Sequence, residues 1–233
     1  MSLRALLAVG AVAVTAAGGY FAYSSSQNGQ EVALKEFESV SFISSAQAAN
    51  FKAKEVDTTD YGEDARIFGD PNAPVTVLEF ASMTCGHCGA FHNEKWPELK
   101  KKYVDTGMVK FVFKDFPFDQ RAAGASMMAR CVADDKYFAA VGALFKTQDK
   151  WARAQDYMGE LGKIAKLAGL SEEKFEACMQ DEAVLDAVLK DRQEGMQKYK
   201  VDSTPTFFVN GDEKISGNVP LEDFEEVLDS YFE

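Results

Sequence analysis

The sequence predicts an α/β fold in which a βαβ unit, a long helical insertion and a ββα unit follow one another. Residues 75–80 alternate and are rich in β-branched side chains, which is typical of a buried strand, and a helical pattern follows at once. Residues 109–114 form a second strand pattern. Far downstream, Asn210 and Gly211 separate two short strands, and Asn-Gly is a strong hairpin turn signal.

The first half of the fold follows from the order of these patterns. Residues 65–68 are predicted as a short first strand, 75–80 as the central strand and 85–103 as a helix. Pro97 lies inside this helix, and we expect a kink there because proline removes one backbone hydrogen bond. The helix carries an apolar stripe made of Phe91, Trp96, Leu99 and Tyr103.

A helical insertion is predicted over about residues 119–199. Ser171, followed by two acidic residues, is a favourable helix start because its hydroxyl can cap the helix and the acids match the helix dipole. Breaks are expected at residues 134–135, 147–149 and 169–171.

The C-terminal unit is predicted as a hairpin and a helix. Residues 207–209 and 214–216 are the two strands of the hairpin. The closing helix is predicted over residues 220–232, with Pro220 in its first turn, where a missing N–H costs nothing.

The N-terminal residues predict export. Arg4 belongs to a short basic leader, and residues 5–23 carry no charge. That length lies between the apolar part of a secretory signal and a membrane span, so residues 1–23 are expected to be a signal peptide or a signal anchor. Residues 24–62 are rich in serine, glutamine and alanine and are expected to be a linker, followed by one domain at 63–233.

The composition fits one domain and argues against nucleic acid as a partner. The chain has 233 residues, of which 46% are hydrophobic, and this is enough for a sizeable core. The formal net charge is −12, and no basic patch interleaved with aromatic residues is found. We expect the protein to be a monomer.

The most informative motif is Cys85-Gly86-His87-Cys88, at the start of the first predicted helix. Unpaired N–H groups and the helix dipole favour an anion at a helix N-terminus. The pKa of Cys85 is therefore expected to fall below the usual thiol value of about 8.5. Cys88, one turn further on, can close on Cys85 as the resolving thiol. A protonated His87 would add positive charge beside the thiolate.

The main alternative interpretation is that the C-x-x-C pair supplies two of the four ligands of a zinc site. Zinc needs two more ligands, and the chain has two histidines, His87 inside the motif and His92. Cys131 and Cys178 are distant in sequence and lack finger or ribbon spacing. Thiol-disulfide exchange, which needs no metal and no organic cofactor, is therefore favoured. His92 is expected to be partly exposed and is assigned no role.

A second motif lies far downstream and begins with Ser203 and Thr204, which precede Pro205-Thr206-Phe207-Phe208-Val209-Asn210-Gly211. Together with Val77-Leu78-Glu79-Phe80 and the cysteine motif, it resembles the DsbA-like thiol-disulfide oxidoreductases over about residues 60–233. The resemblance implies a thioredoxin fold with a helical insertion. It also implies a periplasmic protein, soluble after signal cleavage or tethered to the inner membrane.

The resemblance implies roles for individual residues. Cys85 would be the nucleophile and Cys88 its buried partner. Pro205 would be cis, with Thr204 beside the cysteines and its backbone edge available to a substrate segment. Glu79 would be a buried acid beneath the motif. Its apolar neighbours in the strand also indicate burial, and we expect a buried carboxyl group there to relay a proton to or from Cys88. The alternative for Glu79 is a solvent-facing position at a sheet edge.

The residues between the cysteines leave the direction of electron flow open. The favoured function is an oxidase that gives its Cys85–Cys88 disulfide to reduced exported proteins. The family implies that a quinone-linked membrane partner of the DsbB type reoxidises it. Many DsbA-type oxidases carry Pro-His between the cysteines, whereas Gly86-His87 also resembles protein disulfide isomerases. An isomerase, a reductase and a peptide-binding chaperone module are the alternatives.

Cys131 and Cys178 lie on apolar stripes of the predicted insertion. One interpretation is that both are buried free thiols that pack as small hydrophobic side chains. The other is a structural disulfide, since four cysteines in an exported protein favour two pairs. Some members of the family that the chain resembles carry a second cysteine pair. We expect a Cys131–Cys178 disulfide.

Overall fold

The computed structural model describes residues 53–55, 57, 59–62 and 65–232. The predicted leader and most of the predicted linker lie outside those residues. Among the residues that the structure describes, no helix is long and apolar enough to cross a bilayer. The described end of the predicted linker contacts the domain. Ala53 forms an isolated antiparallel β-bridge with Phe232, and the Lys54 N–H donates to the Tyr231 carbonyl at 2.9 Å.

A five-stranded mixed sheet forms the centre of the domain. Its order is β1-β3-β2-β4-β5; β2 and β3 are parallel, and the other neighbours are antiparallel. All seven residues of β2 are buried, which explains why its sequence is almost continuously apolar. The strands are Arg66–Phe68 (β1), Val75–Ala81 (β2), Val109–Asp115 (β3), Thr206–Val209 (β4) and Glu213–Ser216 (β5).

One helical run, α1, connects β2 to β3. It consists of Gly86–Ala90, a π-helical turn at Phe91–Lys95, the α-helical piece Trp96–Leu99 and a second π-helical turn at Lys100–Val104. Pro97 lies in the first turn of the third piece. A π-helical turn lies just before the piece that contains this proline, and the kink at Pro97 stays a prediction.

Six helices and one short 3₁₀ turn make up the described insertion between β3 and β4. The predicted breaks are confirmed. Two more breaks lie just before Asp156 and Asp181, which are N-cap residues whose carboxylates accept hydrogen bonds from backbone N–H groups. Ser171 caps its helix as predicted. The helices are Gln120–Cys131 (α2), Tyr137–Lys146 (α3), Gln148–Trp151 (α4), Tyr157–Leu167 (α5), Glu172–Met179 (α6) and Glu182–Gln197 (α7), and the 3₁₀ turn is Asp134–Lys136.

The last helix, α8, spans Leu221–Asp229. Pro220 is its N-cap residue, so the prediction that this proline lies in the first turn is wrong by one position. Before it, Asn210 and Gly211 form the predicted turn of the β4–β5 hairpin. Both have positive φ angles, 49° and 82°, as a type I′ turn requires.

The two faces of β2 belong to different parts of the core. Val77 and Ala81 face the side covered by α1, whereas Leu78 and Phe80 face the opposite cluster. Because side chains alternate along a strand, Glu79 lies on the same face as Val77 and Ala81. The strand therefore directs one carboxyl group towards the helix that carries the cysteine motif.

A buried ionic cluster fastens the insertion to β3. The Arg130 Nε donates to the Asp115 carboxylate at 2.7 Å, and its Nη2 donates to Asp191. The Lys114 Nζ donates to Asp191 at 3.0 Å and to Glu194 at 3.1 Å. These residues come from β3, α2 and α7. Removing one partner would leave a buried charge unpaired, so the cluster holds the insertion in one position on the sheet.

A disulfide joins two helices of the insertion. Cys131, at the end of α2, is bonded to Cys178 in α6, with Cα atoms 6.2 Å apart. Cys178 is buried beside Met127 and Val188 in a small apolar cluster of its own. The bond therefore links α2 to α6 far from the cysteine motif in sequence.

Candidate active site

Cys85 occupies the N-cap position of α1. The turn that leads from β2 to the helix is held by the Cys85 N–H, which donates to the Ser82 carbonyl at 3.0 Å. Cys85 is half-buried, whereas Cys88 is fully buried, and both are reduced thiols in the structure. The strand-to-helix turn thus presents one sulfur to the surface and keeps its partner inside.

The loop before β4 lies against Cys85. The Thr204–Pro205 peptide bond is cis, and the Cys85 Sγ lies 3.3 Å from the Thr204 carbonyl oxygen, to which it donates while it is protonated. The Gly217 N–H holds the loop from the other side through the Pro205 carbonyl at 2.8 Å. The Thr204 side chain is buried, whereas the preceding Asp202 and Ser203 are exposed.

The environment of Cys85 favours its thiolate. A hydrogen bond from the Cys88 thiol is the largest cause that lowers the pKa of Cys85, which falls to about 5 although partial burial opposes the shift. The Thr204 side chain and the backbone N–H groups of Cys88 and His87 lower this pKa further. His87 therefore acts through its backbone N–H at the helix N-terminus, and its side chain is exposed.

Cys88 has the opposite environment. Burial raises the pKa of its thiol well above the usual range, and the hydrogen bond to Cys85 and the charge of Glu79 raise it further. At neutral pH Cys85 is consequently a thiolate while Cys88 keeps its proton. Two thiols with such different acidity can divide the roles of leaving group and proton acceptor between them.

A buried polar pair lies beneath the motif. Glu79 is fully buried, so the alternative of a solvent-facing edge position is wrong. Its Oε2 lies 2.8 Å from the Nε2 of His92. The expectation that His92 is partly exposed is also wrong, because it is buried and its ring stacks on Phe145, with centroids 4.3 Å apart.

Gln148, at the start of α4, holds the active-site turn from the insertion. Its Nε2 donates to the Met83 carbonyl at 2.8 Å and to the Cys85 carbonyl at 2.9 Å. Both donors of the side-chain amide are thereby used. A Cβ atom on Gly89 would lie 2.7 Å from the Gln148 Oε1, so glycine leaves the space that this amide needs.

Comparisons with known proteins agree with this geometry. The family model described as thioredoxin matches residues 62–230. The crystal structure of Wolbachia pipientis alpha-DsbA1 is similar, with a TM-score of 0.68 and 31% identity over 73% of this chain and 92% of that chain. The chain belongs to the DsbA-like branch of the thioredoxin family.

Two other proteins are also similar to this DsbA-like chain. The oxidised BdbD structure from Bacillus subtilis has a TM-score of 0.66 and 27% identity, and the match covers 72% of this chain and 92% of that chain. The "Putative protein-disulfide oxidoreductase" of Rickettsia bellii is 32% identical over 150 residues, which are 64% of this chain and 58% of that relative. This chain therefore spans less than two thirds of the Rickettsia protein.

In this DsbA-like protein the predicted residues meet in one place. Cys85, Cys88, Thr204 and Pro205 form one site, and Glu79 lies beneath it. Sequence reasoning missed Gln148 and the contact between Glu79 and His92. For His92 a signal was present, since it follows Cys88 by four residues and shares its helix face. No comparable local signal marks Gln148.

Proposed function

We propose that this protein is a thiol-disulfide oxidoreductase that introduces disulfides into reduced exported proteins through a Cys85–Cys88 disulfide. The observation that carries the proposal is the opposed acidity of the two thiols at the N-terminus of α1, next to the cis-proline loop. A thiolate of low basicity is a good leaving group, and this makes a dithiol pair oxidising.

The first step forms a mixed disulfide. A substrate thiolate attacks the Cys85 Sγ, a new S–S bond forms there and the Cys85–Cys88 bond breaks. The bonding electron pair goes to the Cys88 Sγ, which takes up a proton because burial strongly disfavours its thiolate. Cys85, half-buried at the helix end, is the sulfur that a substrate can reach.

The second step releases the product. A second substrate thiolate attacks the substrate sulfur of the mixed disulfide, and Cys85 leaves as a thiolate. Two electrons have then passed from substrate to enzyme, which is left with one thiolate and one thiol. A membrane partner of the DsbB type, linked to quinone, would remove these electrons and restore the disulfide.

The surface around Cys85 suits an extended polypeptide. Asp202 and Ser203 are exposed just before the Thr204 carbonyl, so a substrate backbone can pair along this segment. Phe118 is 52% exposed, and its neighbour Asp119 accepts a hydrogen bond from Thr84, the residue before Cys85. This exposed apolar side chain, next in sequence to a residue that contacts the active-site turn, would contact unfolded substrates.

The proposed compartment is an oxidising one, outside the cytoplasm. The Cys131–Cys178 disulfide supports this location because structural disulfides persist in such compartments. The monomeric state is likewise a proposal, and it is compatible with the buried core that the described domain forms by itself.

The test is oxidation of a reduced two-cysteine peptide by the oxidised protein, followed by chromatography. The wild type is expected to produce the peptide disulfide, and Cys85→Ser to produce none. Cys88→Ser cannot form the Cys85–Cys88 disulfide and should oxidise no reduced peptide. When it is given glutathione disulfide instead, its Cys85 thiolate should form a mixed disulfide that persists, with the other glutathione leaving as a thiolate, because no resolving thiol is present. Cys131→Ala/Cys178→Ala is the matched control and should remain active. Peptide capture that survives Cys85→Ser without oxidation would instead support a chaperone module.

A disulfide isomerase is the second candidate, favoured by Gly86-His87 between the cysteines. Recovery of activity from a scrambled substrate separates the two functions. Rapid recovery by the reduced protein, with slow oxidation of reduced peptide by the oxidised protein, would favour the isomerase.

A further inference from the structure

We propose that His92 positions the Glu79 carboxyl group so that its Oε1 atom passes the proton to Cys88 when the active-site disulfide opens. The inference rests on the proposed thiol-disulfide exchange and adds a positioning residue to it. His92 lies on α1, one helical turn beyond Cys88, so both residues face the strand that carries Glu79.

Aromatic side chains from the described residues surround the Glu79–His92 pair. The His92 ring stacks on Phe145 from α3 at an interplanar angle of 12°. It also lies near Phe111 and Phe113 of β3, with ring centroids at 6.5 Å and 6.1 Å. Across the sheet, Phe207 of β4 is the register partner of Glu79. These neighbours are apolar, so the ring has little freedom to leave the carboxylate.

The two carboxyl oxygens have different surroundings. Oε2 lies 2.8 Å from the His92 Nε2, whereas Oε1 is buried without a hydrogen-bond partner among the described residues. A neutral imidazole with hydrogen on Nε2 donates to Oε2 and leaves Oε1 as the site for a carboxyl proton. Burying a carboxylate charge beside such an unpaired oxygen is costly, and a proton on Oε1 removes the charge.

The titratable groups that face this pair are those of the redox site. Glu79 lies on the face of β2 whose residues Val77 and Ala81 share a core cluster with Cys88. Its charge raises the pKa of the Cys88 thiol. Cys85 is the second titratable group nearby, and β3, β4 and α3 contribute aromatic rings. No direct hydrogen bond joins Glu79 to Cys88 among the described contacts, so the proton crosses one water or follows a carboxyl rotation.

The proton and electron balance is complete. Attack on Cys85 breaks the Cys85–Cys88 bond, and its electron pair goes to the Cys88 Sγ. The proton moves from the Glu79 Oε1 to that sulfur, which leaves a Glu79 carboxylate whose Oε2 accepts from His92. When the disulfide re-forms, Cys88 returns this proton to the Glu79 Oε1 as its sulfur makes the new S–S bond.

The experiment measures how fast glutathione opens the disulfide of the oxidised protein between pH 5 and 9. The variants are Glu79→Gln, His92→Leu, His92→Gln and Glu79→Gln/His92→Leu. Glu79→Gln should slow opening by about tenfold or more, since a positioned general acid commonly contributes about 10²- to 10⁴-fold. His92→Leu should slow it over the same pH range. His92→Gln should recover most of the rate because its amide N–H can donate to Oε2.

The double variant separates positioning from general destabilisation. If His92 acts through Glu79, Glu79→Gln/His92→Leu opens no more slowly than Glu79→Gln alone. Phe224→Leu is the control for a less stable core, since Phe224 is buried against Phe91 and Phe207. It should lower stability and leave the pH profile of the rate unchanged.

Three results would overturn the inference: a wild-type pH profile in His92→Leu, equal losses in His92→Gln and His92→Leu, or multiplicative losses in the double variant. Failure of the proposed function looks different. In that case the wild-type disulfide would not exchange with glutathione or oxidise a peptide at all, whatever residue occupies position 92.

Discussion

The Cys85 sulfur and the Thr204 carbonyl oxygen lie 3.3 Å apart, although 119 residues separate them in the chain. The sheet explains this contact. Phe80, near the end of β2, pairs with Thr206 at the start of β4. The turn after β2 and the loop before β4 therefore meet at the same edge of the sheet, and the whole insertion lies between them in sequence.

The acidity of Cys85 gives the first prediction. In the reduced protein, the thiolate absorbance at 240 nm should titrate with a midpoint near the Cys85 pKa of about 5. Cys88→Ala should raise this midpoint, because the hydrogen bond from the Cys88 thiol is the largest cause of the low pKa of Cys85.

The control for this titration is Cys85→Ser, which should lose the low-pH transition entirely. A transition that stays near the ordinary thiol range of about 8.5 in the wild type would contradict the assigned environment of Cys85.

The contact between Gln148 and the active-site turn gives the second prediction. Gln148→Ala removes the donors to the Met83 and Cys85 carbonyls and should destabilise the domain by about 1 to 3 kcal/mol. Gly89→Ala should also destabilise it, because the new methyl group would press on the Gln148 Oε1. Urea unfolding of each variant measures both changes.

Combining these two substitutions provides the internal check. In the Gln148→Ala background the space beside Gly89 is open, so Gly89→Ala should cost less there than in the wild type. Strictly additive losses would show that the two residues do not compete for the same space.

The disulfide of the insertion gives the third prediction. Cys131→Ala/Cys178→Ala should lower the free energy of unfolding by about 3 to 4 kcal/mol on the chain-entropy model for a loop of this length. Peptide oxidation should persist, since the bond lies in α2 and α6. Alkylation of the unfolded, unreduced protein, with the active site oxidised, should add no tag; two tags would mean that Cys131 and Cys178 are free thiols.

Local patterns predicted the sheet, the two active-site cysteines and the proline loop beside them because their signals lie within a few residues. The strand alternation, the Asn210-Gly211 turn and the Ser171 cap are of this kind. The breaks before Asp156 and Asp181 were missed, although each aspartate caps a helix. An aspartate in a polar helical stretch is equally compatible with the exposed face of a continuous helix.

The remaining features depend on which elements meet in space. His92 became buried because α3 brings Phe145 onto its ring, and Gln148 reaches Cys85 because α4 folds back over the turn. The partners of Arg130 likewise come from β3 and α7. Periodicity within one helix carries no information on such long-range pairing, so these side chains could not be told from ordinary surface residues.

The most direct test of the central claim is the reduction potential of the Cys85–Cys88 pair, measured by equilibration with glutathione. An oxidase with a stabilised Cys85 thiolate should have a potential of about −120 to −150 mV, near the strongly oxidising end of the family range. A value near about −180 mV would point to an isomerase, and one near about −270 mV to a reductase, and either would contradict the proposed oxidase.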